Sequence, residues 1–257
     1  MYVKLINLDC ATDRLQFIAS QLGSLDVSYE LVKATEPSSV GKFKNQYDDL
    51  ISAGLSAGEA CCAISHYRCW LALLASSEDE CLILEDDLHF SGDFKTVIEN
   101  ISLSQEDPCA LKLESFGATV TASSSSDLLV DGRRVVELFS NHTGTAAYVL
   151  NRKAASNLVE VFCRFKHPVD IELFDFGRRS DESLRVFQVL PACCIQDSEL
   201  PDSVFASSIY GRQESDHWSR RVKNSAVLSP LKYLYRMYVH YVKLPPNLAR
   251  IRTTHRL

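Results

Sequence analysis

The chain contains 257 residues, of which 46% are hydrophobic and 23% are charged. This composition can build a sizeable apolar core, and no apolar stretch is long enough to span a bilayer. All 33 acidic residues lie in residues 1–216, whereas nine of the 27 basic residues follow Asp216. The acidic body would repel phosphate, so a nucleic-acid partner is not expected.

The nine cysteines are odd in number and include no CxxC pair. The adjacent pairs Cys61-Cys62 and Cys193-Cys194 lack a second pair at zinc-site spacing, so packing is favoured over metal binding. Reduced, buried thiols are typical of the cytoplasm. The first residues also lack the apolar region of a signal peptide, so a cytoplasmic location is expected.

The start of the chain predicts a strand–helix–strand unit. Strands are expected at residues 3–8 and 27–31, with a helix between them that Thr12 caps. Such a unit normally forms a right-handed crossover between parallel strands. Residues 34–55 indicate a long irregular loop, and an apolar stripe over residues 58–74 predicts the next helix.

The segment 81–87 runs from four apolar residues, Cys81 to Leu84, straight into Glu85, Asp86 and Asp87. An apolar run without a polar face predicts a strand buried on both sides, as in a parallel sheet. Open α/β sheets bind ligands beyond the carboxyl ends of their strands, where clustered carboxylates suit Mg²⁺ or Mn²⁺. The alternative is an acidic strand end in solvent.

The rest of the body continues the alternation of strands and helices. The predicted segments are a helix at 94–101, a strand at 109–113, a hairpin around Asp131-Gly132 with strand 135–139, a strand at 146–150, a helix at 153–162, and a last strand at 184–190. Residues 191–216 are expected to be irregular. One α/β domain over residues 1–216, followed by a basic tail over residues 217–257, is the economical organisation.

The tail mixes its basic residues with tyrosine and leucine, which predicts a helix. Such a helix can lie on an anionic lipid surface. A helix docked on the acidic body of the same protein explains the pattern equally well.

Four motifs occur in order along the body. They are Ile6–Asp9 with Asp13-Arg14, Gly58–His66 with Trp70, Leu82–Asp87, and Gly144–Leu150. In type and spacing they resemble glycosyltransferase family 25, which contains bacterial lipooligosaccharide galactosyltransferases and procollagen galactosyltransferases. The resemblance covers roughly residues 3–200. It departs at Cys61, where the family more often has glycine, and it weakens after Pro191.

The resemblance implies a GT-A-like, Rossmann-like mixed sheet flanked by helices, a UDP-sugar donor, and inversion at the anomeric carbon. It implies a hexosyltransferase that moves galactose from UDP-galactose to a bacterial lipooligosaccharide or lipopolysaccharide sugar chain, in a β linkage. UDP-glucose is the alternative donor. The enzyme would work from the cytoplasmic side, with the tail holding it peripherally on the inner face of the membrane near its glycolipid acceptor.

A divalent cation, Mn²⁺ or Mg²⁺, would neutralise the charge that develops on the leaving diphosphate. Asp87 is predicted to be its principal ligand, with Asp86 or Glu85 meeting the metal through water or meeting the donor ribose. His217 is a candidate late ligand. The donor-binding candidates are Asn7, Asp9, Arg14, Ser65, His66, Glu85 and Asp86.

An inverting transfer also needs a base that takes the proton of the acceptor hydroxyl. Asp170 is the first choice because Pro168 stiffens its approach, and Glu172 and Glu114 are substitutes. An aspartate at this position is also a common helix cap.

Two other classes of protein fit parts of the pattern. A metal-dependent phosphohydrolase or nucleotidyltransferase also places acidic residues after buried strands, but the histidines here do not cluster for a paired-metal site. A non-catalytic, membrane-associated sugar-binding or scaffold protein would keep the tail and tolerate loss of Asp86 and Asp87. The GxxxxGK[ST] sequence of a P-loop kinase is missing.

Overall fold

A computed structural model describes residues 1–36, 55–129, 132–175, 184–205 and 247–257. The helices are α1 (Thr12–Ser24), α2 (Ala57–Ala75), α3 (Phe94–Glu99), α4 (Arg152–Val161) and α5 (Val169–Phe174). The strands are β1 (Tyr2–Asn7), β2 (Glu30–Lys33), β3 (Glu80–Glu85), β4 (Leu88–Phe90), β5 (Cys109–Lys112), β6 (Thr119–Ser123), β7 (Asp127–Leu128), β8 (Arg134–Glu137), β9 (Ala147–Asn151), β10 (Arg185–Leu190), β11 (Cys194–Gln196) and β12 (Leu248–Arg252).

Eight strands form one mixed sheet in the order β2-β1-β3-β9-β5-β10-β8-β7. Strand β1 pairs in parallel with both β2 and β3, and β9 runs antiparallel between β3 and β5. The predicted α/β class, a mixed sheet flanked by helices, is therefore confirmed. Strands β1, β3 and β5 point the same way, so their carboxyl ends meet at one edge of the sheet.

Residues of β3 alternate between two apolar cores on the two faces of the sheet. Ile83 packs with Trp70 of α2 on one face, whereas Leu82 and Leu84 pack with Ile18 of α1 on the other. The four residues Cys81–Leu84 are completely buried. The prediction of a strand buried on both sides is confirmed, and it explains why the following carboxylates emerge at the sheet edge.

The starts of helices α1 and α2 differ from the predicted ones because their capping residues were assigned wrongly. Helix α1 begins at Thr12 itself, with Ala11 at the N-cap and no side-chain cap, so the prediction that Thr12 caps the helix was wrong. Helix α2 begins two residues after Leu55, because Ser56 and Glu59 form a reciprocal capping box. Most of the predicted loop at residues 34–55 lies outside the described residues.

Strands β7 and β8 pair antiparallel, as the predicted hairpin requires, although residue 131 lies outside the described residues. Strand β10 was predicted to be the last strand. This prediction was wrong, because β11 and β12 follow it. Strand β11 pairs with β4, within the segment that was expected to be irregular.

The end of the chain is a strand docked on the body. Strand β12 pairs antiparallel with β6, and Arg133 donates hydrogen bonds to the Arg256 carbonyl at 3.1 Å and the Ala192 carbonyl at 2.9 Å. A helix was predicted for residues 217–257, and residues 248–252 do not form one. Residues 206–246 lie outside the described residues, so the division at residue 216 stays a prediction. No helix that the structure describes is both long and apolar enough to cross a bilayer.

Candidate active site

A pocket opens at the carboxyl ends of β1 and β3, beside the first half of α2. Six of the predicted donor-binding residues line it: Asn7, Arg14, Ser65, His66, Glu85 and Asp86. They come from three segments of sequence, and the parallel pairing of Ile6 with Glu85 brings the two strand ends together. The sheet edge therefore collects polar groups where open α/β sheets bind ligands.

Asp86 is held by two residues from the start of the chain. Asn7 Nδ2 donates to Asp86 Oδ2 at 2.7 Å, and Arg14 Nη1 donates to Asp86 Oδ1 at 3.0 Å. Burial raises the pKa of Asp86 against the opposing effect of Arg14. Both carboxylate oxygens are thus engaged by this chain.

Asp87 is held more loosely. Gln196 Nε2 lies 3.2 and 3.5 Å from its two oxygens, and Arg14 Nη1 lies 3.6 Å from Oδ2. Burial, and then the charge of Glu85, raise the pKa of Asp87 to about 6. A buried carboxylate with weak hydrogen bonds and an acidic neighbour suits a divalent cation. The positive charge of the cation would offset both the burial of the carboxylate and the repulsion from its neighbour. The donor set therefore fits Mn²⁺ or Mg²⁺, with Asp87 as the more available ligand.

Glu85 is oriented by two hydrogen-bond partners on one oxygen. His66 Nε2 lies 3.2 Å from Glu85 Oε1, and Thr145 Oγ1 donates to the same atom at 3.0 Å. Burial opposes ionisation of Glu85, but these two partners outweigh burial and hold its pKa below the ordinary value. Glu85 and Asp86 line the pocket and Asp87 follows them in sequence; these three, which we call the pocket carboxylates, bring negative charge to one place.

His66 is fixed by the core behind it. Its Nδ1 lies 3.0 Å from the Tyr148 hydroxyl, to which Trp70 Nε1 donates at 3.0 Å. Tryptophan can only donate, so the Tyr148 oxygen accepts from Trp70 and can give its own hydrogen to His66 Nδ1. The hydrogen-bond partners therefore assign the His66 proton to Nε2, where it faces Glu85.

Ser65, one of the residues that line the pocket, also holds the backbone in place, whereas Asp9 lies outside the pocket lining. Ser65 Oγ donates to the Cys61 carbonyl at 2.7 Å and accepts from Thr35 N at 3.0 Å, so it ties the end of β2 to α2 beside the pocket. Asp9 pairs with Lys33 at the surface and does not line the pocket. His217 lies outside the described residues.

Two of the predicted base candidates, Glu114 and Asp170, lie near a buried lysine. Lys112 Nζ is 3.4 Å from Glu114 Oε1, and both side chains are fully buried; we call them the buried pair. Burial raises the pKa of Glu114 to about 7, although Lys112 opposes the shift. Burial lowers the pKa of Lys112, and Asp170 is one of the charges that oppose this effect.

Gly144 joins these groups. Its N–H donates to Asp170 Oδ2 at 3.2 Å, and its carbonyl accepts from Lys112. Gly144 has a φ of +83°, and a Cβ there would lie 2.3 Å from the Phe116 ring, so only glycine fits this position. The third base candidate, Glu172, is buried and accepts from Lys166 N at 2.7 Å and His167 N at 2.9 Å, which holds the turn before α5.

Several residues that shape the site were not predicted. Thr145 and Tyr148 fall within a motif that was recognised, so a polar residue beside an otherwise apolar strand was an available signal. Gln196 and Asp197 had no such signal, because they belong to a segment that was expected to be irregular. Asp197 N donates to the Asp87 carbonyl at 2.7 Å, so this segment supports the pocket carboxylates directly.

Comparison with known proteins identifies the class. The family described as glycosyltransferase family 25 (LPS biosynthesis protein) matches residues 1–173, and the chain belongs to this family. The chain is 26% identical over 206 residues to the lipooligosaccharide biosynthesis protein lic2B of Haemophilus influenzae, covering 76% of each chain. It is 30% identical over 208 residues to the lacto-N-neotetraose biosynthesis glycosyltransferase LgtB of Neisseria meningitidis serogroup B, covering 75% of this chain and 74% of that one.

Among solved structures, the chain resembles the inositol-1-phosphate CTP transferase from T. maritima. The two are 13% identical, with a TM-score of 0.39 over 79% of this chain and 93% of that one. The family match and the curated relatives identify the protein as a glycosyltransferase and confirm the resemblance seen in the sequence.

Proposed function

We propose that the protein is an inverting, divalent-metal-dependent galactosyltransferase that uses UDP-galactose and extends the sugar chain of a lipooligosaccharide or lipopolysaccharide. One observation carries the proposal. Asp86 and Asp87 are buried beside Asn7 and Arg14 at the carboxyl ends of two parallel strands, next to a pocket. The named relatives in lipooligosaccharide and lacto-N-neotetraose biosynthesis support the acceptor class.

Asp87 would be the principal ligand of Mn²⁺ or Mg²⁺, which would stabilise negative charge on the departing diphosphate as a Lewis acid. Asn7 and Arg14 donate to the two oxygens of Asp86 and hold it in place, so a cation would meet a preorganised acidic site. Arg14 also lies over the Phe205 ring, with 5.6 Å from its Cζ to the ring centroid, which restricts the guanidinium to this side of the pocket.

Asp170 is the proposed base that takes the proton of the acceptor hydroxyl. It is half-buried, whereas Glu114 and Glu172 are enclosed by the protein. The hydrogen bond from Gly144 N orients the Asp170 carboxyl group through the backbone. Glu172 serves as an anchor for its own turn rather than as the base.

The basic segment before β12 is proposed to hold the enzyme peripherally at the inner face of the cytoplasmic membrane, close to a glycolipid acceptor. Binding to anionic vesicles at low salt, and its loss in high salt, tests this part. If vesicles do not retain the protein at low salt, the basic segment has a different role.

The test of the activity is UDP release from UDP-galactose and UDP-glucose, with Mn²⁺ or with a chelator, in the presence of a lipooligosaccharide acceptor. We expect release from UDP-galactose that needs the metal and rises with acceptor. Preferential use of UDP-glucose would make the protein a glucosyltransferase. A lack of turnover and of UDP binding would favour the scaffold alternative.

A further inference from the structure

The donor-side pocket contains a second set of possible ligands, which shares Glu85 with the pocket carboxylates but adds a thiol and an imidazole. Cys62 and His66 are four residues apart on α2, so they lie on one face of the helix, next to Glu85 at the end of β3. One ligand atom from each of these three residues lies within 4.8 Å of the other two. Cys62, His66 and Glu85 all line the pocket.

The distance between the nitrogen and oxygen ligands is close to that of a tetrahedral zinc site. With metal bonds of about 2.0–2.1 Å to nitrogen and oxygen and about 2.3 Å to sulfur, neighbouring ligand atoms stand roughly 3.4–3.6 Å apart. His66 Nε2 and Glu85 Oε1 are 3.2 Å apart. The nitrogen and oxygen therefore need to separate by only a few tenths of an ångström to admit the ion.

The surroundings hold His66 and Glu85 in place. The ring of His66 is 1% exposed, and the Tyr148 hydroxyl fixes its other nitrogen at 3.0 Å. Thr145 Oγ1 donates to Glu85 Oε1 at 3.0 Å. Hydrogen bonds of this kind orient the ligands of protein metal sites and strengthen metal binding.

We infer that Cys62, His66 and Glu85 form a binding site for a thiophilic divalent cation, with Zn²⁺ as the best match. Thiolate and imidazole favour zinc over Mg²⁺ and Mn²⁺, which prefer oxygen ligands. Three protein ligands leave the fourth tetrahedral position open to the pocket. The site is distinct from Asp87 and does not depend on the proposed transfer reaction.

Metal binding at this site changes the protonation of Cys62 and His66, and each proton can be accounted for. The Cys62 thiol releases its proton to solvent as the thiolate binds the ion. The ion takes the lone pair of His66 Nε2, whose proton is replaced by one on Nδ1. The Tyr148 oxygen can accept that Nδ1 hydrogen together with the Trp70 hydrogen, while its own hydroxyl hydrogen rotates away.

The test uses the full chain, stripped of metal with a chelator and titrated with Co²⁺, whose thiolate-to-metal charge-transfer band reports a cysteine ligand. We expect the band in the wild type, and we expect Zn²⁺ to displace Co²⁺ because zinc binds such ligands more tightly. Cys62→Ser should abolish the band and weaken Zn²⁺ binding about tenfold or more. Cys163→Ser changes an exposed cysteine and should leave both unchanged.

Two further variants separate this site from its neighbours. Asp87→Asn should keep the band, since Asp87 is not among its ligands, whereas loss of the band would place the ion elsewhere and overturn the inference. Glu85→Gln should keep the band and weaken Zn²⁺ binding, and it provides the test if Cys62→Ser does not fold. A wild type without the band, a band that survives Cys62→Ser, or unchanged Zn²⁺ affinity in Glu85→Gln would each contradict the site.

Discussion

The pocket carboxylates and the buried pair lie at the same sheet edge but balance their charge in different ways. Residues 145–146 connect them, since Ala146 N donates to Glu114 Oε1 at 2.8 Å and Glu85 N donates to the Ala146 carbonyl at 2.8 Å. Glu114 has a cation of its own in Lys112. The three pocket carboxylates share Arg14 and His66, and two of them, Glu85 and Asp86, line the pocket.

The difference shows which acidic side chain is suited to bind a cation from solvent. A buried carboxylate next to a lysine is neutralised within the fold and contributes to one defined packing arrangement. A buried carboxylate with a raised pKa and an acidic neighbour, next to residues that line a pocket, gains from a cation that arrives from outside. We therefore assign the buried pair to the scaffold of the site and propose that Asp87 takes part in its chemistry.

The largest effect is expected from Asp87→Asn. The change keeps the shape of the side chain and removes the charge that would hold the cation, so turnover should fall about a thousandfold, because such a cation contributes several kcal/mol. UDP release at saturating Mn²⁺ measures the loss. Asp13→Asn, at an exposed position of α1, is the matched control and should keep full activity. Equal activity in the two variants would remove Asp87 from the site.

Lys112→Met tests whether the buried pair stabilises the fold. Removing the internal cation leaves Glu114 buried without its partner, so the free energy of unfolding should fall by about 3 kcal/mol. Chemical denaturation measures the change. Lys95→Met, which breaks an exposed pair with Asp26, should lower the free energy of unfolding far less. A similar small cost for both lysines would mean that the buried pair does not stabilise the fold.

Asp170→Asn distinguishes a base from a scaffold residue. The amide oxygen can still accept from Gly144 N, so folding should be retained, while transfer should fall about 100-fold through loss of the proton acceptor. The rate of transfer to the acceptor and the affinity for UDP should be measured together. Reduced transfer with unchanged UDP affinity supports the base, whereas unchanged transfer would move the role to another residue.

The last expected effect is a pH dependence of stability. Burial raises the pKa of Glu114 from 4.5 to about 7, while Lys112 of β5 and Glu85 of β3 face it with opposite effects. Between these two values the folded state keeps a proton that the unfolded chain has lost. The free energy of unfolding of the wild type should therefore fall as pH rises across this interval, relative to that of Glu114→Gln. Parallel profiles for the two proteins would contradict the raised pKa.

The sequence was sufficient to predict the strand and the carboxylates at the pocket. It was not sufficient to predict the hydrogen bonds that hold the pocket residues in place. The apolar run Cys81–Leu84 required a buried strand, and the carboxylates after it had to emerge at the sheet edge. The link from Trp70 through Tyr148 to His66 could not be predicted, because it joins side chains 78 and 82 residues apart within apolar segments. Such pairings depend on which strands become neighbours, and local periodicity does not encode that.

The C-terminal part of the fold shows the same limit. Residues 248–252 lie in a basic segment, and composition favoured a helix there. Pairing with β6 and the contacts of Arg133 outweigh that preference. Arg133 itself is completely buried, and it donates two hydrogen bonds to Asp93, at 2.8 and 2.6 Å. A buried arginine beside a predicted turn could be recognised only after its carboxylate partner, 40 residues away, was in place.

Calorimetric titration of UDP into the wild type and Asp87→Asn, with and without Mn²⁺, tests most directly whether the pocket carboxylates recruit an external cation. We predict that UDP binds the wild type with Mn²⁺ and binds about tenfold or more weakly without it, since the cation would bridge the protein and the diphosphate. Asp87→Asn with Mn²⁺ should match the metal-free wild type. Equal UDP affinity under all of these conditions would contradict the account.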